Sequence, residues 1–201
     1  MRIGIDFDNT IACYDGVFHR AAVERELVPE ALGTDKNTVR NYLREIGKED
    51  EWTKLQGYVY GARMDMVAVY EGFRNFVETA RRADHELVIV SHKTKTPFMG
   101  PSYDLHAAAQ SFLADQTLIG PGLVSNVYFE LTLDEKVSRI NQLECDVFVD
   151  DLPELLGHKG LSPKVVAYLF DPDEHFKDNI DVGRPVHRHG SWGEITQSLL
   201  V

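Results

Sequence analysis

Cysteine is scarce in this chain: Cys13 and Cys145 are the only two among 201 residues. So few thiols, so far apart, make neither a metal-ligand set nor a disulfide framework, and they read as ordinary reduced thiols. Long apolar runs are missing as well; none approaches the roughly 18 residues that a membrane-spanning helix needs. Basic residues are outnumbered, 21 Lys and Arg against 32 Asp and Glu, for a net charge of -11. That balance argues against a broad electrostatic footprint for a nucleic-acid polymer, although a local basic patch can still hold an anion. No internal repeat or low-complexity segment occurs. Met1 leads directly into an apolar strand pattern and leaves no room for the h-region of a secretory signal. The expectation is a cytoplasmic protein with no membrane partner, and the sequence does not speak to oligomeric state.

What is present is ordinary for a globular chain, 43% hydrophobic and 26% charged. The length suits one main domain with an insertion or a small lid. Met1–Thr10, MRIGIDFDNT, alternates Ile3, Ile5 and Phe7 with small or charged residues and reads as a strand. Helical spacing then takes over, with helices expected over about 15–27 (Asp15 as N-cap), 35–46 and 49–60, the last closed by Gly61. These residues, 13–67, form a helical insertion without a strand signal. A fourth helix over about 70–83 precedes ELVIVS (86–91), a nearly continuous apolar run of the kind that suits a parallel strand covered on both faces. Further strands are expected at 127–131, at VFVDD (147–151) and at VVAYLF (165–170), with helices over about 104–113, 133–143 and 192–200. Strands alternating with helices argue for an α/β fold, a Rossmann-like parallel sheet with helices on both faces. The sheet domain takes 1–12 and 68–201, and the helical cap takes 13–67.

Ligands of such sheets bind beyond the carboxyl ends of the strands. That rule brings Asp6, Asp8, Ser91, Asp150 and Asp151 to one edge, since each ends its strand or lies just past it. Like charges so close are costly unless a cation or a positive loop stands between them. Mg²⁺ takes oxygen ligands, and one or two carboxylates with phosphate and water usually hold it. Asp6 fits a nucleophile toward a phosphoryl group, and Asp8 fits a general acid and base. Asp150 and Asp151 would complete the metal site. Ser91 would donate to phosphoryl oxygens, and Lys136, near the start of a helix, would bring a point charge between nucleophile and phosphate.

IDFDNT, VIVS, LDEKV and VFVDD, in that order, resemble the four motifs of the haloacid dehalogenase superfamily of phosphohydrolases. The resemblance runs from residue 6 to residue 151, and its strength lies in the order of the motifs rather than in any one of them. It implies a Rossmann-like core and a Mg²⁺-dependent reaction through an aspartyl-phosphate. It implies metal ligation by Asp6, by the backbone carbonyl of Asp8, and by Asp150 with Asp151 in support. In the superfamily an acid two residues after the nucleophile accompanies phosphatases and phosphomutases, whereas dehalogenases and ion-pumping ATPases lack it. Asp8 therefore implies hydrolysis of a phosphate monoester, the partner being a small phosphorylated metabolite such as a nucleotide or sugar phosphate. Asn9 stands where glycine is common, and the insertion corresponds to a C1-type cap. A phosphomutase, or a non-catalytic phosphate- or metal-binding module on the same fold, are the alternatives.

Other residues carry weaker signals. His92, Lys93 and Lys95 form a small basic loop that either steers an anion toward Asp6 or is simply solvated, and His92 is placed with Ser91 and Lys136 as substrate-binding. Arg63 is better explained by a salt bridge than by a ligand. His187 and His189 lack a nearby third ligand and read as structural or solvated. Tyr58 and Tyr60 read as packing residues of the cap, and Trp192 as the anchor of the last helix.

Overall fold

The computed structural model describes residues 1–120, 123–176 and 182–201. In chain order the elements are β1 (Arg2–Ile5), β2 (Ala12–Cys13), α1 (Val17–Glu24), α2 (Lys36–Glu45), α3 (Glu49–Ala62), a 3-10 turn (Met64–Met66) and β3 (Ala68–Val69). There follow α4 (Phe73–Arg82), β4 (Glu86–His92), α5 (Leu105–Asp115), β5 (Val124–Glu130) and α6 (Leu133–Gln142). The chain closes with β6 (Val147–Asp150), α7 (Pro153–Leu156), β7 (Val166–Phe170), β8 (Val186–His189) and α8 (Trp192–Leu200). Two compact units result: Met1–Ala12 with Val69–Lys93 and Gln116–Val201, and Cys13–Ala68 with Thr94–Asp115. The second unit thus includes a stretch, 94–115, that the sequence pattern assigns to the sheet domain.

The first unit is a Rossmann-like α/β unit built on a six-stranded sheet in the order β5-β4-β1-β6-β7-β8, parallel throughout. Side chains alternate across it. Ala167 and Leu169 join Val88, Val90 and Phe148 beneath Val137 and Ile140 of α6 and Leu155 and Leu156 of α7. On the other face Phe170 meets Tyr70 and Trp192, and Trp192 meets Phe73 and Phe76 of α4. Burying such rings on both faces is the main favourable term in assembling the unit. Gly4 is required at the centre, because a Cβ there would stand 2.5 Å from the Phe148 ring.

Trp192 is wholly buried, and its indole N–H donates to the Thr10 carbonyl (2.9 Å), which ties the last helix to the segment after β1. The sheet has one strand more than the sequence pattern suggests. β8 (VHRH) carries little apolar signal because it is an edge strand, and its His187 and His189 rings stack on Tyr168 at 4.9 and 5.6 Å. β5 begins at Val124, ahead of the apolar run expected there, with Ser125 and Asn126 exposed.

The second unit is helical. Phe18 of α1 is fully buried among Tyr14, Trp52 and Tyr60, with ring centroids 5.3–6.1 Å away. The Lys36 ammonium lies 4.9 Å over the Phe18 ring and donates to the Tyr60 hydroxyl (3.0 Å). Asp35 caps α2 by accepting from the Thr38 N–H. α1 is not capped by Asp15: Gly16 occupies that position at φ 69, a conformation glycine adopts at no steric cost. Gly61 does not close α3 either, since the helix runs to Ala62. Its missing side chain admits Tyr103, as Gly57 one turn earlier admits Pro97. Arg63 is held by Glu24, Asp65 and the Tyr58 hydroxyl.

Candidate active site

Chain order and strand order together create the site. From β1 the sheet extends one way through β4 and β5 and the other way through β6, β7 and β8, so β1 stands where the winding reverses. The carboxyl ends of its two neighbours deliver Ser91 and Asp150, and β1 itself delivers Asp6. The Asp6 N–H still donates to Val149 (2.9 Å), which fixes its backbone against β6. α6 supplies Lys136 in its first turn; the Thr132 side chain caps this helix by accepting from the Glu135 N–H.

These groups meet in a nearly dry environment. Asp6 is 4% exposed, Lys136 2% and Asp150 0%. Lys136 Nζ donates to Asp6 Oδ1 at 2.5 Å and to Asp150 Oδ2 at 2.7 Å, while Asp150 Oδ1 accepts from the Leu152 N–H at 2.9 Å. Among the described residues, Asp6, Asp150 and Asp151 form a group whose ligand oxygens all lie within 4.8 Å of one another.

Burial pushes the Asp6 carboxyl up to about 7; the neighbouring Asp150 and Asp8 charges add to the rise and Lys136 opposes it. Burial, then Asp150 and Asp6, push Asp151 up to about 8. Burial alone would lower Lys136, but the charges of Asp150 and Asp6 outweigh it and hold the ammonium above its ordinary value. One lysine therefore stands among three acids in a medium that amplifies their repulsion, which is the electrostatic setting of a cation site.

Asp8 lies just past β1 and outside that trio. Its carboxylate accepts from Lys93 Nζ on both oxygens, at 3.0 and 2.7 Å. Asn9, at φ 56, turns the chain there, and the Phe7 carbonyl accepts from both Ile11 and Ala12. Ser91, 1% exposed, sits at the end of β4 beside Asp6's strand. His92 takes the opposite face: it is exposed, and its Nε2–H donates to the Leu131 carbonyl at 3.0 Å. Of the basic loop, Lys93 is the buried member, and the sequence reading did not connect it with Asp8. The available signal was its spacing, two residues after Ser91 and so on the same side of the strand.

Neither a protein-family model nor a curated protein sequence matches the chain. Solved structures do. A predicted phosphatase from Clostridium acetobutylicum is 13% identical at a TM-score of 0.63, over 99% of this chain and 97% of that one. YfnB from Bacillus subtilis, bound to magnesium, is 13% identical at 0.62, over 100% and 98%. A HAD family hydrolase from Deinococcus radiodurans, with bound phosphate and sodium, is 16% identical at 0.59, over 98% and 94%. At such identities the likeness establishes the fold, and the fold is that of the haloacid dehalogenase-like hydrolases.

Proposed function

We propose that this protein is a Mg²⁺-dependent phosphatase that hydrolyses a small phosphate monoester, a nucleotide or sugar phosphate, through a phosphoryl group carried on Asp6. The observation that carries this reading is the meeting of Asp6, Lys136, Asp150 and Asp151 from three separated stretches of chain. An all-carboxylate donor set is hard and anionic, which suits Mg²⁺ rather than a softer ion. Asp6, Asp150 and Asp151 would hold it, with the Asp8 carbonyl. Bound there, the ion would neutralise charge on the phosphoryl oxygens and the carboxylates.

The chain's own residues divide the remaining work. Asp6 Oδ attacks phosphorus while the ester P–O bond breaks, and Asp8 gives a proton to the departing oxygen. Asp8, now a carboxylate, takes a proton from a water that attacks the same phosphorus. The bond to Asp6 breaks, inorganic phosphate leaves, and both acids return to their starting states. The Ser91 hydroxyl and Lys136 ammonium hold the transferred oxygens, where donors in a low-dielectric site are worth most.

p-Nitrophenyl phosphate with Mg²⁺ tests the reading. Turnover is expected to vanish in EDTA and to fall about 10⁴-fold or more in Asp6→Asn. Turnover unchanged in EDTA would remove the metal from the scheme, and turnover retained by Asp6→Asn would remove the nucleophile.

A further inference from the structure

Two lysines serve the acids of this site, and they divide them. Lys136 holds Asp6 and Asp150, and Lys93 holds Asp8. The side chain of Lys93 is 4% exposed and that of Asp8 21%, so the pair opens toward solvent on the side of the acid alone. Burying an ammonium is expensive, and for stability alone apolar residues in place of both partners often serve as well or better. Several contacts restrict the motion of this pair. The turn after Phe7 fixes the Asp8 backbone, and Lys93 Nζ restrains its side-chain torsions by donating to both oxygens. Lys93 is itself fixed: its N–H extends the ladder beyond β4 by donating to Glu130 (2.8 Å), and its Nζ lies 5.6 Å over the Phe7 ring.

We propose that Lys93 is the positioning residue of Asp8, holding that carboxylate where it exchanges protons with the leaving group and the attacking water. The inference rests on the phosphatase reading and adds a division of labour to it. Without Lys93, Asp8 loses its two-oxygen restraint and holds the productive geometry for less of the time, so each proton transfer waits longer. Substrate binding does not depend on this grip. The effect therefore falls on kcat rather than KM, and it scales with how much the leaving group needs a proton.

The test compares wild type, Lys93→Met, Lys93→Gln and Lys93→Arg on glycerol 2-phosphate and p-nitrophenyl phosphate, each protein first shown to melt cooperatively. Lys93→Met is expected to lose about 100-fold in kcat on the glycerol ester, within the usual range for a proton-transfer group, with KM little changed. On p-nitrophenyl phosphate, whose leaving group departs without a proton, the same variant is expected to release a burst of one nitrophenolate per chain. Slow turnover follows, because only the water step still needs Asp8. Lys93→Arg is expected to recover most of the loss, and Lys93→Gln, with a donor but no charge, falls between; Gln carries the comparison if Met does not fold. Equal losses on both esters without a burst, or a raised KM at unchanged kcat, would overturn the positioning role and make Lys93 a structural or substrate-binding residue. A wild type inert toward both esters would overturn the phosphatase reading itself and the positioning role with it. Failure confined to the variants of an active wild type counts against Lys93 alone.

Discussion

The sheet unit and the helical unit bury different things. Among the described residues nine polar or charged side chains are buried, and eight of them lie in the sheet unit: Asp6, Thr10, Ser91, Lys93, Lys136, Asp150, Asp171 and Thr196. The helical unit has His19 alone, beside an interior of Phe18, Trp52, Leu55 and Val59. Its ion pairs stand outside, as Arg44 and Glu49 do with both side chains about half exposed, where such contacts contribute little. One unit has an almost wholly apolar interior, with its charged groups at or near the surface. The other accepts buried charges that weaken it unless something compensates them, and five of its eight buried polar groups are in the candidate active site. Buried charge, rather than architecture, sets the candidate site apart from the rest of the molecule.

The sharpest way to break this contrast is to remove one buried group from each unit, a charge from one and a ring from the other, and then add Mg²⁺. Lys136→Met leaves Asp6 and Asp150 buried together without their cation, at an expected cost of about 3–5 kcal/mol in the metal-free protein. Phe18→Ala, deep in the helical unit, is expected to cost about 3–5 kcal/mol by cavity formation. Mg²⁺ should restore part of the first loss and none of the second, read as melting temperatures with and without the ion. Equal rescue of both, or of neither, would erase the distinction.

A second test uses pH. Asp6 near 7 and Asp151 near 8 keep protons in the folded chain that the unfolded chain has already lost. Their contribution therefore favours the folded state at low pH and fades as pH rises through those values. Burial lowers His189, whose effect runs the other way but is complete by about pH 7. From about pH 7 to about pH 8 the metal-free protein is expected to lose on the order of 1 kcal/mol, and Asp151→Asn should flatten that slope. A metal-free stability that climbs across this interval would contradict the assigned burial of the acids.

The smallest effect belongs to the helical unit. Alanine is favoured over glycine inside a helix by about 1 kcal/mol, so Gly61→Ala would stabilise an open α3. Here the new methyl would overlap Tyr103, and overpacking of about 1–3 kcal/mol should outweigh the propensity. Gly61→Ala is therefore expected to lower the melting temperature, and a rise would show that Tyr103 yields readily.

Much of the sheet unit is legible in the sequence, because a parallel strand buried on both faces must be apolar until it ends. ELVIVS and VFVDD announce both their strands and the polar residues that terminate them, and the fold rule then brings Asp6, Ser91 and Asp150 together. Lys136 is legible only through the order of the motifs, since one lysine on a helix looks solvated. What escapes has physical reasons. β8 is an edge strand whose histidines lie flat on Tyr168, which hydropathy does not register. Gly61 looks like a stop because glycine usually ends helices, yet it serves a close approach. Lys93 looks like part of a basic loop, because burial of its ammonium depends on a carboxylate 85 residues away.

The central claim is that Asp6 receives the phosphoryl group. Rapid acid quench of the Mg²⁺-loaded enzyme during turnover of p-nitrophenyl phosphate, followed by mass spectrometry of its peptides, tests this most directly. The account predicts one phosphoryl group on the peptide carrying Asp6, absent from Asp6→Asn. Steady turnover with that peptide never modified, or with the phosphoryl group on another residue, would contradict it.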